Sequence, residues 1–217
     1  MLQEEITGCN RCPRLRRHSA AIAQVKRRAY QDWDYWGKPV PSFGDPEARL
    51  LILGLAPGAH GANRTGRMFT GDASGDFLYR ALHETGFATQ PHSKSANDGL
   101  QLRDAYITAS ARCAPPDNKP SPQELTNCRP FLERELELMD NVKIVVALGG
   151  IAFQTYLRIL GEKPSKYEFG HGREYELGAG RPFLIASYHP SQQNTSTGRL
   201  TAEMLRTVFE RARKLLS

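Results

Sequence analysis

Residues 49–61 read Arg49-Leu-Leu-Ile-Leu-Gly-Leu-Ala-Pro-Gly-Ala-His-Gly61, an unbroken apolar run that passes into a loop almost without side chains. The run lacks polar alternation, which suits a strand covered on both faces, as in a parallel sheet between layers of helices. Residues 54–61, GLAPGAHG, hold three glycines, two alanines and one proline. Backbone that bare exists where another group must come close to it. In open α/β sheets, ligands bind outside the carboxyl ends of the strands, which is where this loop would fall.

Three more β-type runs come later in the chain: AYITASA (105–111), KIVVALG (143–149) and PFLIASYHP (182–190). Helical patterns separate them. Ser74 is placed to cap a helix carrying Phe77, Leu78, Ala81 and Leu82, with Gly86 as its stop. SPQE at 121–124 has the form of a capping box, and its helix carries the stripe Leu125, Cys128, Leu132, Leu136 and Met139. A third helix follows Gly149 and Gly150, and a fourth carries Leu200, Met204, Val208 and Leu215. Strands alternating with helices predict an α/β fold, a three-layer α/β/α sandwich around a four-stranded parallel sheet. The loops ARCAPPDNKP and SYHPSQQNT fall at the same end of that sheet as GLAPGAHG.

The chain has 217 residues, the size of one domain or one domain with a small appendage, and 40% of them are hydrophobic. No apolar run reaches the ~18 residues of a membrane span, and the first residues contain no apolar signal core. A cytoplasmic protein is expected. The net charge of +6 and the isoelectric point near 9.2 admit a polyanionic partner as well as a merely basic surface.

The glycine loop is not a nucleotide loop. A dinucleotide fold asks for G-x-G-x-x-G, and this one reads G-x-x-x-G-x-x-G. GANRTGRM (61–68) has the two glycines of a phosphate loop but Arg67 and Met68 in place of Lys and Ser/Thr. The residues just beyond it are more telling. Phe69 and Asp72 put an aromatic ring and a carboxylate close together, although a core Phe and a helix-start Asp is the commoner meaning of such a pair. His189 falls at the tip of the last strand, opposite both.

Four cysteines, Cys9, Cys12, Cys113 and Cys128, point in a reducing compartment to a metal or a cluster. Only Cys9-x-x-Cys12 is a tight pair. Spacing leaves zinc, a [4Fe–4S] cluster and plain core cysteines all open.

Taken together, GLAPGAHGANRTGRMFTGDASG, RCAPPDNKPSP, SYHPSQQNTSTGRL and the four cysteines closely resemble the family 5 (type B) uracil-DNA glycosylases, from Cys9 to the last helix. The resemblance implies one uracil-DNA glycosylase domain over residues 1–217. Its N-terminal segment would be tied down by a structural [4Fe–4S] cluster on the four cysteines. It implies a monofunctional enzyme, acting as a monomer in the cytoplasm on DNA in the nucleoid, that flips out and excises uracil. Hypoxanthine and other deaminated or damaged bases would also be substrates. Asp72 and His189 would be catalytic. Gly54, Ala56, Pro57, Gly58, His60, Phe69 and Asn118 would hold the base. Asn63, Arg64, Arg67, Pro190, Ser191, Gln192, Gln193, Asn194 and Arg199, with the basic RLRR at 14–17, would meet DNA.

The chain departs from other branches of that superfamily. Ala56 stands where many members carry a catalytic Asp or Asn. Gly58 replaces the tyrosine that narrows the pocket of uracil-strict enzymes, and the second strand offers Thr108 and Ser110 in place of a base-reading Asn. A wide pocket with loose base choice is therefore expected. Two rival readings remain beside it: a non-catalytic, cluster-bearing binder of DNA lesions, and a small-molecule enzyme on the same scaffold.

Overall fold

A computed structural model of the chain describes residues 1–178 and 180–217. Helices α1 (Leu2–Thr7) and α2 (Pro13–Val25) precede strands β1 (Phe43–Gly44) and β2 (Leu50–Gly54). Then come α3 (Ala62–Thr65), α4 (Ala73–Glu84), β3 (Ala105–Ala109), α5 (Pro122–Leu138), β4 (Ile144–Leu148) and α6 (Gly150–Ile159). β5 (Glu174–Tyr175), β6 (Phe183–Ser187), α7 (Gln192–Ser196) and α8 (Ala202–Leu216) complete the chain. No helix among the described residues is long and apolar enough to cross a membrane.

The strands form one sheet in the order β1-β3-β2-β4-β6-β5. Its four central strands are parallel, with Leu50 level with Ala105 on one side and Ile144 on the other, and Ile144 level with Phe183. That is the expected parallel sheet, but the sheet is wider than expected. The two-residue strands β1 and β5 pair antiparallel with β3 and β6 and close the edges. A strand of two residues has no periodicity to read, and it forms because the unpaired edge offers it hydrogen bonds.

Alternation along the strands feeds two cores. Leu50, Ile52, Ile107, Val146 and Ile185 pack with Leu78 and Leu82 of α4 and Leu205, Val208 and Phe209 of α8. Leu51, Leu53, Val145 and Leu184 pack on the other face with Leu132 of α5 and Ala152, Phe153, Tyr156 and Leu157 of α6. Both sets are apolar, so the runs show no alternation in sequence. The capping box at Ser121 and Glu124 forms as expected. Helix α4, however, is capped by Asp72 and not by Ser74: Asp72 Oδ1 accepts from the Gly75 N–H at 2.9 Å. In α8 the buried face is Leu205, Val208, Phe209, Ala212 and Leu216. Leu200 precedes the helix and Leu215 is exposed.

The N-terminal segment is held against α5 by ion pairs between Arg14 and Glu124, at 2.6 Å, and between Glu5 and Arg134. Deeper in, Arg112 and Glu135 form an ion pair with side chains only 1% and 2% exposed. Glu135 also accepts from Thr108 Oγ1 at 2.6 Å and Ser42 Oγ at 2.5 Å, and Gln3 Nε2 reaches Tyr106 Oη at 2.8 Å beside it. The network joins α1, β3 and α5. Removing one member of a buried pair leaves the other charge uncompensated. Glu135→Leu is expected to lower the urea-unfolding stability by about 3–5 kcal/mol, and adding Arg112→Met should recover part of that loss.

Candidate active site

The loops that leave β2, β3 and β6 at their carboxyl ends line one cleft of about 590 Å³. Its floor begins at Gly54, whose missing side chain makes room for Phe69: a Cβ there would lie 2.9 Å from Phe69 Cε2. Ala56, Pro57 and Gly58 form the bare wall, and His60 supplies the one polar side chain of residues 54–61.

Phe69 has φ = +51°, a left-handed conformation that costs energy for a bulky residue. Its neighbours hold it there. Tyr79 Oη donates to the Met68 carbonyl at 3.0 Å, Arg67 Nε to Thr70 Oγ1 at 2.9 Å, and Thr65 Oγ1 to the Thr70 carbonyl at 3.2 Å. Gly75 packs directly against the Phe69 carbonyl. The ring thus reaches the cleft with its centroid 5.7 Å from that of His189 and the planes inclined by 31°.

Asp72 divides its two oxygens. Oδ1 caps α4, and Oδ2 lies against Gly58 and Gly61 at the cleft wall. A Cβ on Gly58 would sit 2.8 Å from Oδ2, and one on Gly61 would run into the carboxylate. These glycines therefore admit Asp72, besides any room they leave for a base. Burial holds the Asp72 carboxyl above the usual aspartate range, against the hydrogen bond from Gly75 that lowers it. His189 follows the end of β6, and burial lowers its imidazole to about 4, so it is neutral at physiological pH.

Asn118 also lines the cleft, and beside it Asp117, which the sequence pattern did not single out. Both are left-handed, with φ of +56° and +54°. Asp and Asn tolerate that conformation best, so the pair after Pro115-Pro116 was the available signal. Ser191, Gln192 and Gln193 line the rim after β6, whereas Pro190 is buried behind them and Asn194 Nδ2 donates to the His189 carbonyl at 2.8 Å.

Several basic residues expected at DNA are used inside the protein. The Arg64 guanidinium lies 3.9 Å from the Tyr30 ring centroid and 4.0 Å from that of Trp33, and donates to the carbonyls of His60 and Gly71. Arg67 pairs with Asp98 at 2.8 Å, and Asn63 donates to the Ser19 carbonyl at 3.2 Å. All three side chains are buried, so none stands ready for a phosphate. Arg14 is paired with Glu124, and Arg16 donates to the Gly37 carbonyl. Arg199 is exposed, with its guanidinium 4.6 Å above the Tyr188 ring, next to His189. Thr108 and Ser110 turn away from the cleft, to Glu135 and to the Gly54 carbonyl; Ala109 lines it instead.

Cys9, Cys12, Cys113 and Cys128 line a second, small pocket together with Arg16 and Arg112. Asn127 Nδ2 donates to Cys12 Sγ at 3.6 Å. The Nε atoms of Arg16 and Arg112 are buried without a partner among the described residues. Two orphaned cationic donors beside four thiols fit an anionic, sulfur-rich group. Among the described residues no three His, Cys, Asp or Glu side chains gather around one ion position.

The sequence pattern of the uracil DNA glycosylase superfamily matches residues 41–213. A type-5 uracil-DNA glycosylase of Mycobacterium tuberculosis is 54% identical over 212 residues, 97% of this chain and 79% of that one. One of Thermus thermophilus is 51% identical over 212 residues, 98% of this chain and 95% of that one. One of Pyrobaculum aerophilum is 45% identical over 207 residues, 95% of this chain and 88% of that one. With a family match over most of the chain and relatives this similar along nearly all of it, the chain belongs to the uracil DNA glycosylase superfamily and, within it, to the type-5 uracil-DNA glycosylases.

Proposed function

We propose that the chain excises uracil from DNA by hydrolysing the N-glycosidic bond, with Asp72 and His189 as its catalytic residues. The observation that carries the assignment of roles is their placement: Asp72 and His189 line one cleft with the Phe69 ring beside His189. Its volume of about 590 Å³ falls within the ~300–1,000 Å³ of small-molecule sites. A glycosylase brings its target nucleotide out of the stack into such a pocket. Phe69 stacks on the base, and the bare wall at Ala56–Gly58 passes close to it. The bond from C1′ to the base nitrogen breaks with positive charge growing on the sugar and negative charge on the base. Neutral His189 has one N–H to give, and it donates to the base oxygen where charge collects. Asp72 Oδ2, the oxygen not used in capping, faces the sugar cation and orients the water that adds to C1′. The hydroxyl of that water goes to the sugar and its proton leaves with the base.

The same reading extends to hypoxanthine and other altered bases, supported by the wide cleft and by the absence of side chains along its glycine wall. Gln192 and Gln193 at the rim and exposed Arg199 meet the DNA. Cys9, Cys12, Cys113 and Cys128 hold a [4Fe–4S] cluster that fixes the N-terminal segment and residues 113–128. The orphaned Arg16 and Arg112 donors beside the four thiols support an anionic, sulfur-rich group there. The protein works as a monomer in the cytoplasm, on chromosomal DNA.

Duplexes with one U·G or hypoxanthine·T pair, treated with alkali after incubation, test this. Asp72→Asn keeps a good helix cap, so it removes charge without removing the cap. Asp72→Asn and His189→Ala should each lose at least ~10²-fold in excision rate. A wild type that binds the duplex tightly and leaves both bases in place makes the chain a lesion binder instead. Excision of uracil alone limits the function to that base.

The acid limb of the excision rate should belong to Asp72 and have its midpoint above the 3.8 of an ordinary aspartate. It should vanish in Asp72→Asn. His189 stays neutral down to about 4, so a limb near 6.5 that disappears in His189→Asn would contradict its assignment. Between about 4 and 6.5 the unfolded chain binds the His189 proton first, so this group makes stability rise with pH there. Anaerobically purified protein should carry about four irons per chain, and Cys113→Ser should lose iron together with thermal stability.

A further inference from the structure

His60 is the only polar side chain among residues 54–61, and its ring lines the cleft. Its Nδ1 lies 3.1 Å from the hydroxyl of Tyr35, with the two rings edge to face at 81°. Tyr35 comes from the segment between α2 and β1, remote in sequence from the glycine loop. The Arg27 backbone N–H donates to the Tyr35 hydroxyl at 3.4 Å. A hydroxyl that accepts there keeps its own proton for another acceptor, and His60 Nδ1 is the acceptor beside it. A neutral imidazole that accepts at Nδ1 carries its proton on Nε2. That atom has no hydrogen-bond partner among the described residues. Burial, with Arg27 and Arg64 nearby, keeps the ring neutral. The backbone is fixed as well, since the His60 carbonyl accepts from Arg64 Nε at 2.8 Å and Arg64 is clamped between Tyr30 and Trp33.

We propose that His60 presents a fixed Nε2–H donor to an acceptor oxygen of the extruded nucleotide, and that Tyr35 is the positioning residue that sets its tautomer. The inference rests on the glycosylase reading above and adds a second donor, on the wall that otherwise offers only backbone and apolar groups. The acceptor is a carbonyl of the base or a flanking phosphate oxygen.

The test compares wild type, His60→Leu, His60→Gln, Tyr35→Phe and the Tyr35→Phe/His60→Leu double variant on the uracil duplex. His60→Leu should lose about tenfold in kcat/KM, the order expected for one lost hydrogen bond. His60→Gln keeps a donor near the Nε2 position and should recover most of that loss. Tyr35→Phe should lose about threefold and add nothing in the His60→Leu background. Ring ¹⁵N spectra of the free protein should show His60 as a single Nε2–H tautomer that turns into a mixture in Tyr35→Phe. A weaker inhibition of His60→Leu by free uracil places the acceptor on the base. Unchanged uracil inhibition with weaker duplex binding places it on a phosphate. A His60→Leu variant within twofold of wild type, additive losses in the double variant, or an Nδ1–H tautomer in wild type overturns the proposal. A wild type that excises nothing overturns the glycosylase reading instead, and the ¹⁵N spectra still report on Tyr35 and His60.

Discussion

Arg112 is buried almost completely, and its charge is satisfied from one side only. Its Nη atoms meet Glu135 of α5, Thr108 Oγ1 of β3 and Ser42 Oγ before β1, while Nε is buried without a partner among the described residues, and the residue also lines the cysteine pocket. A buried ion pair is a poor source of net stability but a strong constraint, because any arrangement that separates the two charges inside the protein is heavily penalised. Here it ties the end of β3 to α5 at one register. The next residue is Cys113, and the chain then turns through Pro115 and Pro116 to the left-handed pair Asp117 and Asn118 at the cleft. One ion pair thus positions the cysteine pocket and one wall of the active site together.

The cleft holds three of the five left-handed non-glycine residues among the described residues; Lys26 and Asp104 lie elsewhere. Phe69, Asp117 and Asn118 are left-handed non-glycine residues, and all three line it. Such strain persists where surrounding contacts over-determine it. For Phe69 those contacts are Tyr79, Arg67 and Thr65, which hold residues 68–70 by both carbonyls and side chains. This explains where the basic residues went. Arg64 and Arg67 carry charge into the interior because the loop that presents Phe69 and Asp72 needs rigid donors behind it. On the proposed function, DNA contact falls to exposed side chains such as Gln192, Gln193 and Arg199.

The parallel sheet, its two-sided burial and the end of the sheet that carries the cleft were legible in the sequence, because four apolar runs, one bare glycine loop and two polar loops state them locally. The capping box at Ser121 and Glu124 was legible for the same reason. The features that were not legible depend on partners far along the chain. The edge strands are defined by the strands they join. Asn63, Arg64 and Arg67 look like a DNA-facing cluster until Ser19, Tyr30, Trp33 and Asp98 are brought beside them. Ser74 and Asp72 are both sound caps by type, and the backbone chose Asp72, the residue whose sequence motif assigns it to chemistry. The two roles are compatible because a carboxylate has two oxygens. Tyr35 had no local signal at all.

The electrostatics of the cleft constrain the proposed reaction further. His189 and His60 are both neutral, and two carboxylates line the cleft, Asp72 buried in its wall and Asp117 exposed. A buried carboxylate such as Asp72, little screened, favours a cationic sugar over the uncharged ground state, which is the differential binding that speeds a reaction. The same carboxylate repels the anion that departs. An imidazolium would cancel that repulsion, but it would also pair with Asp72 before any substrate arrived and blunt its effect on the sugar. Neutral N–H donors avoid this. They stabilise the departing base through hydrogen bonds that strengthen as charge develops, and they leave the Asp72 charge free. On the proposed mechanism, burial of His189 therefore serves the chemistry as well as the packing, since it removes a proton that would quench the Asp72 carboxylate.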